Sequence, residues 1–126
     1  MIERLGSGGR WEDGYGYSRA VRAGPWVLTA GCTATVDGEV RHVGDPFAQA
    51  VLAFQIGLDA AARLGATVAD VARTRMYVVG AGNADAVGRA HGSVFADVRP
   101  VSTLVMVNRL LHPDMLVEVE VEAYLT

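Results

Sequence analysis

Residues 99–109, Arg99-Pro-Val-Ser-Thr-Leu-Val-Met-Val-Asn-Arg109 (RPVSTLVMVNR), decide how the rest of the chain is interpreted. Valine, leucine and methionine dominate the centre of the stretch, which predicts a strand. A guanidinium and two hydroxyl groups, those of Arg99, Ser102 and Thr103, gather at its start. We expect this polar mouth either to line a site or to be the polar end of a buried strand.

The last ten residues before the C-terminal threonine, LVEVEVEAYL, form a second apolar strand with regular alternation. By period two, Glu118, Glu120 and Glu122 share one face, and the valines share the other. One interpretation is a solvated carboxylate face over a buried valine face. The other puts one glutamate in a cleft, where burial and neighbouring carboxylates would raise its pKa and suit it to proton transfer.

The remaining sequence divides into elements by its turn and capping signals. In chain order we predict an irregular glycine-rich lead-in (1–14), a hairpin of two strands (15–23 and 26–33), a tight turn (36–40), a helix from Asp45-Pro46 to Gly65, a capping box (67–70), a strand (71–79), and a helix marked by Val87, Ala90 and Val94.

This order predicts one α+β domain over residues 1–126, with a mixed sheet and two helices. Two helices can cover only one face of such a sheet. Several strands are apolar on both faces, and strands of that kind are usually covered on both sides. The second cover is expected to be another subunit unless that face is polar.

Composition excludes several classes of function. The net charge of −3 argues against general affinity for nucleic acid or an anionic membrane, since both need a positive field. No apolar run approaches the ~20 residues that span a bilayer, and a single cysteine suits a reducing compartment. We therefore expect a cytoplasmic protein. The three histidines have no metal-ligand spacing, and no phosphate loop is present, so neither a metal nor a cofactor is expected.

Two residues could be chemical or merely structural. Cys32 in an apolar strand is typical of a small buried hydrophobe, and nucleophilic work would need an activating histidine that its sequence neighbours do not supply. His91 follows Val87 by four residues, near the apolar stripe of the second helix, which favours a packed, hydrogen-bonded role over metal ligation.

The whole pattern resembles the Rid family, also called YjgF/YER057c/UK114, across residues 15–125. The segments that carry the resemblance are Val98–Leu110 and Leu116–Ala123 (the C-terminal signature), Gly16–Val21 and Val27–Cys32 (the first two strands), Asp45–Leu64 (the long helix) and Asp70–Val78 (the strand after it). They occur in the same order as in the family.

This resemblance implies a chorismate-mutase-like α+β fold, packed as a homotrimer whose sheets build a central barrel. It also implies ligand clefts between adjacent subunits. Members of the best-known branch hydrolyse reactive enamines and imines released by pyridoxal-phosphate enzymes, giving a 2-oxo acid and ammonia. The implied partners are further copies of the chain and a small metabolite, with no cofactor.

Family positions that line the cleft can be carried over one at a time. The tyrosine of the first strand falls on Tyr17, and the glycine whose backbone faces the ligand falls on Gly31, followed here by Cys32. The glutamate associated with a cleft water falls on Glu120, or on Glu118 if the register is shifted by two. We expect Glu120 to be catalytic, positioning or deprotonating water.

The arginine that clamps the substrate carboxylate in the deaminating branch falls on Ser102, which Thr103 follows. Serine has one donor and no charge, so it cannot replace arginine at a bidentate carboxylate site. The chain thus resembles a branch that lacks this arginine. Arg99 or Arg19 could supply a cation instead, Arg19 lying on the same face as Tyr17, and a solvated surface role is the alternative for each.

Three functions follow. The first is a hydrolase or deaminase for a small imine, enamine or related metabolite, in which Glu120 acts on water while Tyr17, Gly31 and Ser102 hold the substrate. Further candidate substrate-binding residues are Cys32, Arg99 and Thr103. The second is a non-catalytic trimer that binds a small molecule. The third is an endoribonuclease or translation inhibitor, which the acidic chain disfavours because it has no basic stripe and no paired histidines.

Overall fold

Six strands form one mixed sheet, and the two longer helices pack against a single face of it. The computed structural model describes residues 1–126. Its elements are β1 (Ile2–Leu5), α1 (Glu12–Tyr15), β2 (Ala20–Ala23), β3 (Trp26–Thr29), β4 (Thr35–Val36), β5 (Glu39–Val40), α2 (Pro46–Ala62), β6 (Val71–Val79), α3 (Ala84–Phe95), β7 (Val101–Val107) and β8 (Val117–Tyr124), with 3-10 turns at Val68–Asp70 and Ala81–Asn83.

The sheet order is β1-β2-β3-β8-β6-β7, and β4 and β5 form a separate hairpin. The β6–β7 pair is parallel, since α3 connects the two strands, and every other pair is antiparallel. This arrangement confirms the predicted α+β class with a mixed sheet and two helices on one face.

Local sequence signals explain the boundaries of α2. Asp45 caps the helix by accepting a hydrogen bond from the Ala48 N–H at 3.0 Å, and Pro46 occupies the first helical position. The helix ends before Gly65, whose φ of +99° lies in the left-handed region that glycine tolerates best. The predicted capping box is also present, with Thr67 and Asp70 hydrogen-bonded to each other.

Strand β8 separates the apolar core from a polar sheet face. Its apolar residues point to the helices and are almost completely buried: Val117, Val119, Val121 and Ala123. Its three glutamates point the other way, opposite the arginines and tyrosine of β6. The predicted alternation is therefore confirmed, and we call the side of the sheet without helices the open face.

The expected irregular lead-in over residues 1–14 is wrong. Ile2–Leu5 pairs antiparallel with β2, and Glu12–Tyr15 forms one helical turn that ends at Gly16, with φ of +76°. The four residues of β1, Ile-Glu-Arg-Leu, lack the alternation that marks a strand, and the glycine-rich run that follows them favours an irregular segment. Its pairing with β2 is a tertiary contact, which the local sequence does not encode.

No helix of this structure is both long and apolar enough to cross a membrane.

Candidate active site

A β-bulge between β3 and β8 shapes the centre of the candidate site. Leu28 pairs with Glu122, but the next bridge joins Cys32 to Val119, so one extra residue is inserted on the β3 side. The Thr29 hydroxyl accepts a hydrogen bond from the Val121 N–H at 3.0 Å within this gap. The predicted strand over 26–33 is therefore interrupted after Thr29.

The bulge brings the Gly31 backbone against the side chain of Glu118. A Cβ atom at position 31 would lie 2.7 Å from the Glu118 carboxyl carbon and 3.0 Å from its Cγ. A side chain at position 31 would therefore displace the Glu118 carboxyl from its present position. Glycine lets the carboxyl lie directly against the backbone of the bulge.

Glu118 lies in a partly desolvated environment. Burial raises the pKa of its carboxyl above the ordinary value of 4.5; the Arg19 guanidinium opposes this shift, and the neighbouring Glu120 adds to it. No hydrogen bond or ion pair within the chain holds the Glu118 carboxylate. A carboxyl with these surroundings is suited to donating or accepting a proton.

Glu120 has defined partners on the same face. Its Oε1 accepts a hydrogen bond from the Tyr77 hydroxyl at 2.9 Å and lies 3.6 Å from Arg75 Nη1. Burial and the bond to Glu120 raise the pKa of Tyr77, so the phenol remains a hydrogen-bond donor. Two carboxylates and a phenol therefore stand side by side.

A shallow pocket of about 280 Å³ opens above these groups. Its lining consists of Gly31, Tyr77, Val107, Arg109, Leu110, Glu118 and Glu120. Three of these were identified in the sequence as Gly31, Glu120 and the alternative Glu118. Both glutamates line the pocket in the structure. Either alignment of the family glutamate, on Glu120 or on Glu118, therefore points to the same site.

Sequence reasoning missed Tyr77 and Arg109. Tyr77 pairs with Glu118 and shares the polar face of β6 with Arg73 and Arg75, a periodicity that could have drawn attention to it. Arg109 ends the stretch quoted at the outset but was given no role. Its position at the pocket depends on where β7 ends, which only the fold specifies.

Arg19 connects the N-terminal segment to the bulge. Its Nη1 donates hydrogen bonds to the Gly31 carbonyl oxygen and, at 3.4 Å, to Cys32 Sγ, and its Nε lies 3.7 Å from the Glu12 carboxylate. Only 15% of its side chain is exposed, so a solvated surface role is excluded. The guanidinium anchors the backbone at the bulge and does not line the pocket.

Glu12 is the acidic end of this connection and is only 6% exposed. Burial alone would raise the pKa of Glu12, but hydrogen bonds donated by the Ser7 hydroxyl and backbone, with Arg19 nearby, lower it below its ordinary value. The ion pair thus links the segment between Ser7 and Glu12 to Arg19, the residue that precedes β2.

Cys32 belongs to the core. It is 2% exposed, and burial raises the pKa of its thiol despite the adjacent Arg19. Its sulfur faces α2, where it approaches Gly57. The structure therefore does not bring Cys32 into the pocket, and its surroundings are those of a small buried hydrophobe.

The two hydroxyls of β7 point to opposite sides of the sheet. Thr103 pairs with Arg75 on the open face, whereas Ser102 pairs with Thr74, and Thr74 Oγ1 donates to Ser102 Oγ at 2.8 Å on the helix side. Neither residue lines the pocket of the same subunit. His91 contacts Thr74 from α3, which confirms its expected hydrogen-bonded role.

Two further predicted residues lie outside the pocket within one subunit. Tyr17 is 38% exposed, with its ring 5.8 Å from the Arg19 guanidinium carbon. Arg99 is exposed, has a φ of +55°, and its side chain makes no hydrogen bond or ion pair in the chain. No cluster of three His, Cys, Asp or Glu side chains is arranged to hold a metal.

The sequence and the fold correspond to a known family. The family model described as Endoribonuclease L-PSP matches residues 12–125, and the chain belongs to this family. The YjgF/YER057c/UK114 resemblance is thereby confirmed, because solved structures of that family share the fold.

Individual relatives extend the match over nearly the whole chain. An uncharacterized protein of Streptomyces coelicolor, SCO2049, is 42% identical over 98% of this chain and 92% of its own length. Rv2704 of Mycobacterium tuberculosis, a YjgF/YER057c/UK114 member, is 40% identical with a TM-score of 0.89 over 99% of this chain and all of that one. Escherichia coli TdcF, solved with bound serine, shares the fold at 22% identity and a TM-score of 0.81, over 100% of this chain and 98% of that one.

Proposed function

We propose that this protein is a cofactor-independent hydrolase of the Rid type, which acts on a small imine, enamine or related compound. The observation that carries the proposal is the pair of adjacent carboxyls in one pocket, Glu118 without a partner and Glu120 bonded to Tyr77. Two carboxyls in unlike environments can divide acid and base roles between them.

The reaction needs two proton transfers in its first half. Glu118, whose pKa burial raises, donates a proton to the imine nitrogen and makes the carbon electrophilic. Glu120 accepts a proton from the water that attacks this carbon, and Tyr77 fixes the orientation of the carboxylate. The resulting carbinolamine collapses to a carbonyl compound and releases the nitrogen as ammonia or an amine.

Substrate preference follows from the absence of an arginine at position 102. Ser102 provides a neutral hydroxyl where the deaminating branch has an arginine, and loss of such a charge-assisted pair costs about 2–5 kcal/mol of binding. Arg99 and Arg19 do not replace it within the subunit, since one projects into solvent and the other is held by Gly31 and Glu12. We therefore assign an uncharged imine as the preferred substrate class.

The remaining predicted ligand contacts belong to a cleft between subunits. In the homotrimer that family membership suggests, we expect the edge strand β7 of one subunit to border the pocket of the next, so that the exposed hydroxyls on its two sides, those of Ser102 and Thr103, are candidate ligand contacts together with Tyr17. Apolar residues on the open face of β7 support such packing, because Val101 and Val105 are 59% and 42% exposed in the isolated subunit.

The test is release of ammonia or amine from imines generated in situ, half with a carboxylate and half without. We expect acceleration chiefly with the uncharged imines, and its loss in Glu120→Gln. Glu39→Gln, an exposed glutamate of the β4–β5 hairpin, is the matched control and should retain wild-type turnover. Light scattering checks that each variant keeps the wild-type assembly.

Other outcomes have defined meanings. Binding of these compounds without turnover would favour a non-catalytic binding protein. Undiminished turnover in both Glu118→Gln and Glu120→Gln would contradict the assigned chemistry. Cleavage of RNA that is lost with either substitution would favour the endoribonuclease that the family description names.

A further inference from the structure

Three polar side chains form a continuous hydrogen-bonded row on the helix side of the sheet. The Thr74 hydroxyl lies 2.8 Å from Ser102 Oγ and 2.8 Å from His91 Nε2. Thr74 is 1% exposed, whereas Ser102 at the edge strand is exposed. The row therefore runs from the surface at β7, through a buried hydroxyl, to the imidazole on α3.

The imidazole packs against two phenyl rings but is open to solvent at one atom. Phe54 and Phe95 pack against the His91 ring at centroid distances of 5.5 and 4.7 Å. No buried side-chain nitrogen or oxygen in the chain lacks a hydrogen-bond partner, and His91 Nδ1 has none inside the chain. Nδ1 must therefore reach solvent, while Nε2 is committed to Thr74.

Hydroxyl groups both donate and accept, so the row can carry a proton in either direction. If Nε2 carries the proton, it donates to Thr74, Thr74 donates to Ser102, and the Ser102 proton points outward to a ligand. If Nδ1 carries it, each bond reverses and Ser102 presents a lone pair. Passing from the first state to the second shifts one proton along each existing bond, releases the outward proton of Ser102 and adds one proton at Nδ1.

We propose that Ser102, Thr74 and His91 form a proton relay that delivers a proton to the leaving nitrogen of the substrate. The relay rests on the proposed function, because it requires Ser102 to face the ligand bound against a neighbouring subunit. It meets a need of the second half of that reaction, for which Glu118 has already given up its proton.

The transfer balances as follows. The Ser102 hydroxyl gives its proton to the departing nitrogen of the carbinolamine, and the carbon–nitrogen bond breaks. Thr74 reprotonates Ser102, His91 Nε2 reprotonates Thr74, and a water or buffer acid at Nδ1 returns one proton to the imidazole. In this scheme Ser102 contacts the substrate, whereas Thr74 and His91 act through it as positioning residues.

Two substitutions at position 74 separate the relay from packing. Thr74→Val keeps the shape but removes the hydroxyl, and Thr74→Ser keeps the hydroxyl but removes the methyl. We expect Thr74→Val to lower kcat on an uncharged imine by about 10- to 100-fold at unchanged KM, with Thr74→Ser retaining most of the wild-type kcat. Ser93→Ala, on the same helix with a bond only to the Ala90 carbonyl, is the control.

Nitrogen-15 NMR of the histidine rings tests the same coupling without substrate. Ser102→Ala does not touch His91, yet it should shift the His91 Nε2 signal, because loss of one bond changes the next along the row. The exposed His42 and His112 provide internal references that should not move.

The results separate the proposals. An unmoved His91 signal in Ser102→Ala overturns the relay whatever the turnover, as does a Thr74→Val variant with wild-type kcat or a Thr74→Ser variant as impaired as Thr74→Val. A wild-type chain that hydrolyses no imine refutes the proposed function, and proton delivery by the relay with it, while the NMR shift still reports whether the row is coupled.

Discussion

Glu118 and Glu122 are the same residue type on the same face of one strand, yet their surroundings are opposite. Glu122 lies 2.6 Å from Arg75 Nη1 and 3.5 Å from Arg73 Nε. Glu118 sits against the Gly31 backbone with no bonded partner, and burial raises its pKa. Four residues of separation thus distinguish a structural ion pair from a proton-transfer group.

The difference arises from what the neighbouring strands place opposite each carboxyl. In the register of β6 and β8, an arginine lies opposite Glu122 and a tyrosine lies opposite Glu118. The bulge after β3 brings the Gly31 backbone against Glu118. Charge compensation and burial therefore vary along a face whose residue pattern is uniform. Environment, rather than residue type, assigns the chemistry.

The largest expected effect tests whether the contacts of Arg19 with Glu12 and Gly31 stabilise the fold more than a surface ion pair does. Arg19→Met leaves the buried Glu12 carboxylate without its cation and the Gly31 carbonyl without its donor. Breaking a buried pair of this kind costs about 3 kcal/mol of unfolding free energy. Urea denaturation measures it, and Arg73→Met, which removes an exposed partner of Glu122, should cost less than about 1 kcal/mol.

Equal losses in the two arginine variants would contradict this distinction. They would mean that the contacts of Arg19 with Glu12 and Gly31 contribute no more to stability than a surface ion pair.

The second effect concerns turnover. Glu118→Gln removes the proposed proton donor and should lower kcat on an imine by about 100-fold, within the usual contribution of general acid catalysis. Glu122→Gln on the same strand should change kcat by less than about 3-fold, since its ion pairs lie outside the pocket lining. Steady-state kinetics of both variants give the ratio directly, and similar losses in the two would erase the functional contrast.

How far the sequence predicts this contrast can be judged from β8 itself. Alternation identified the face of Glu118, Glu120 and Glu122, because side chains in a strand point alternately to opposite sides. Alternation could not show which of the three is ion-paired and which is suited to proton transfer, since that depends on the residues opposite them on neighbouring strands. The ladder between β6 and β8, which supplies them, joins segments about 45 residues apart.

The bulge and the first strand were beyond the sequence for a related reason. The family resemblance points to Gly31, but nothing in the local sequence shows that one residue is inserted between Leu28 and Cys32 relative to β8. A linear match points to Ser102 as a cleft residue, but it does not show that the side chain lies on the helix side of its own subunit, bonded to Thr74. In each case a contact between distant segments decides the outcome.

A third prediction uses pH to sharpen the comparison. Since the pKa of Glu118 is raised in the folded state, the native chain binds this proton more tightly than the unfolded chain. Its contribution to stability is complete below the ordinary pKa and declines as pH rises through the folded value. Glu118→Gln should therefore have a Tm a few degrees above wild type at pH 7.5 and close to wild type at pH 4.

Thermal melts at both pH values check this sign. A lower Tm for Glu118→Gln at pH 7.5 would show that the ionised carboxylate has a stabilising partner after all, which would make Glu118 resemble Glu122.

The smallest expected effect belongs to Glu122. Its partners Arg73 and Arg75 are 44% and 40% exposed, so solvent screens the attraction, and Glu122→Gln should cost less than about 1 kcal/mol. The cost should fall further in 1 M salt, where the Debye length is only about 3 Å. Urea midpoints at low and high salt measure this, with Glu118→Gln as the internal contrast because it has no pair to screen. A salt-independent loss above about 2 kcal/mol at Glu122 would mean that this pair is buried by a neighbouring subunit, which would place the arginine ladder inside the assembly.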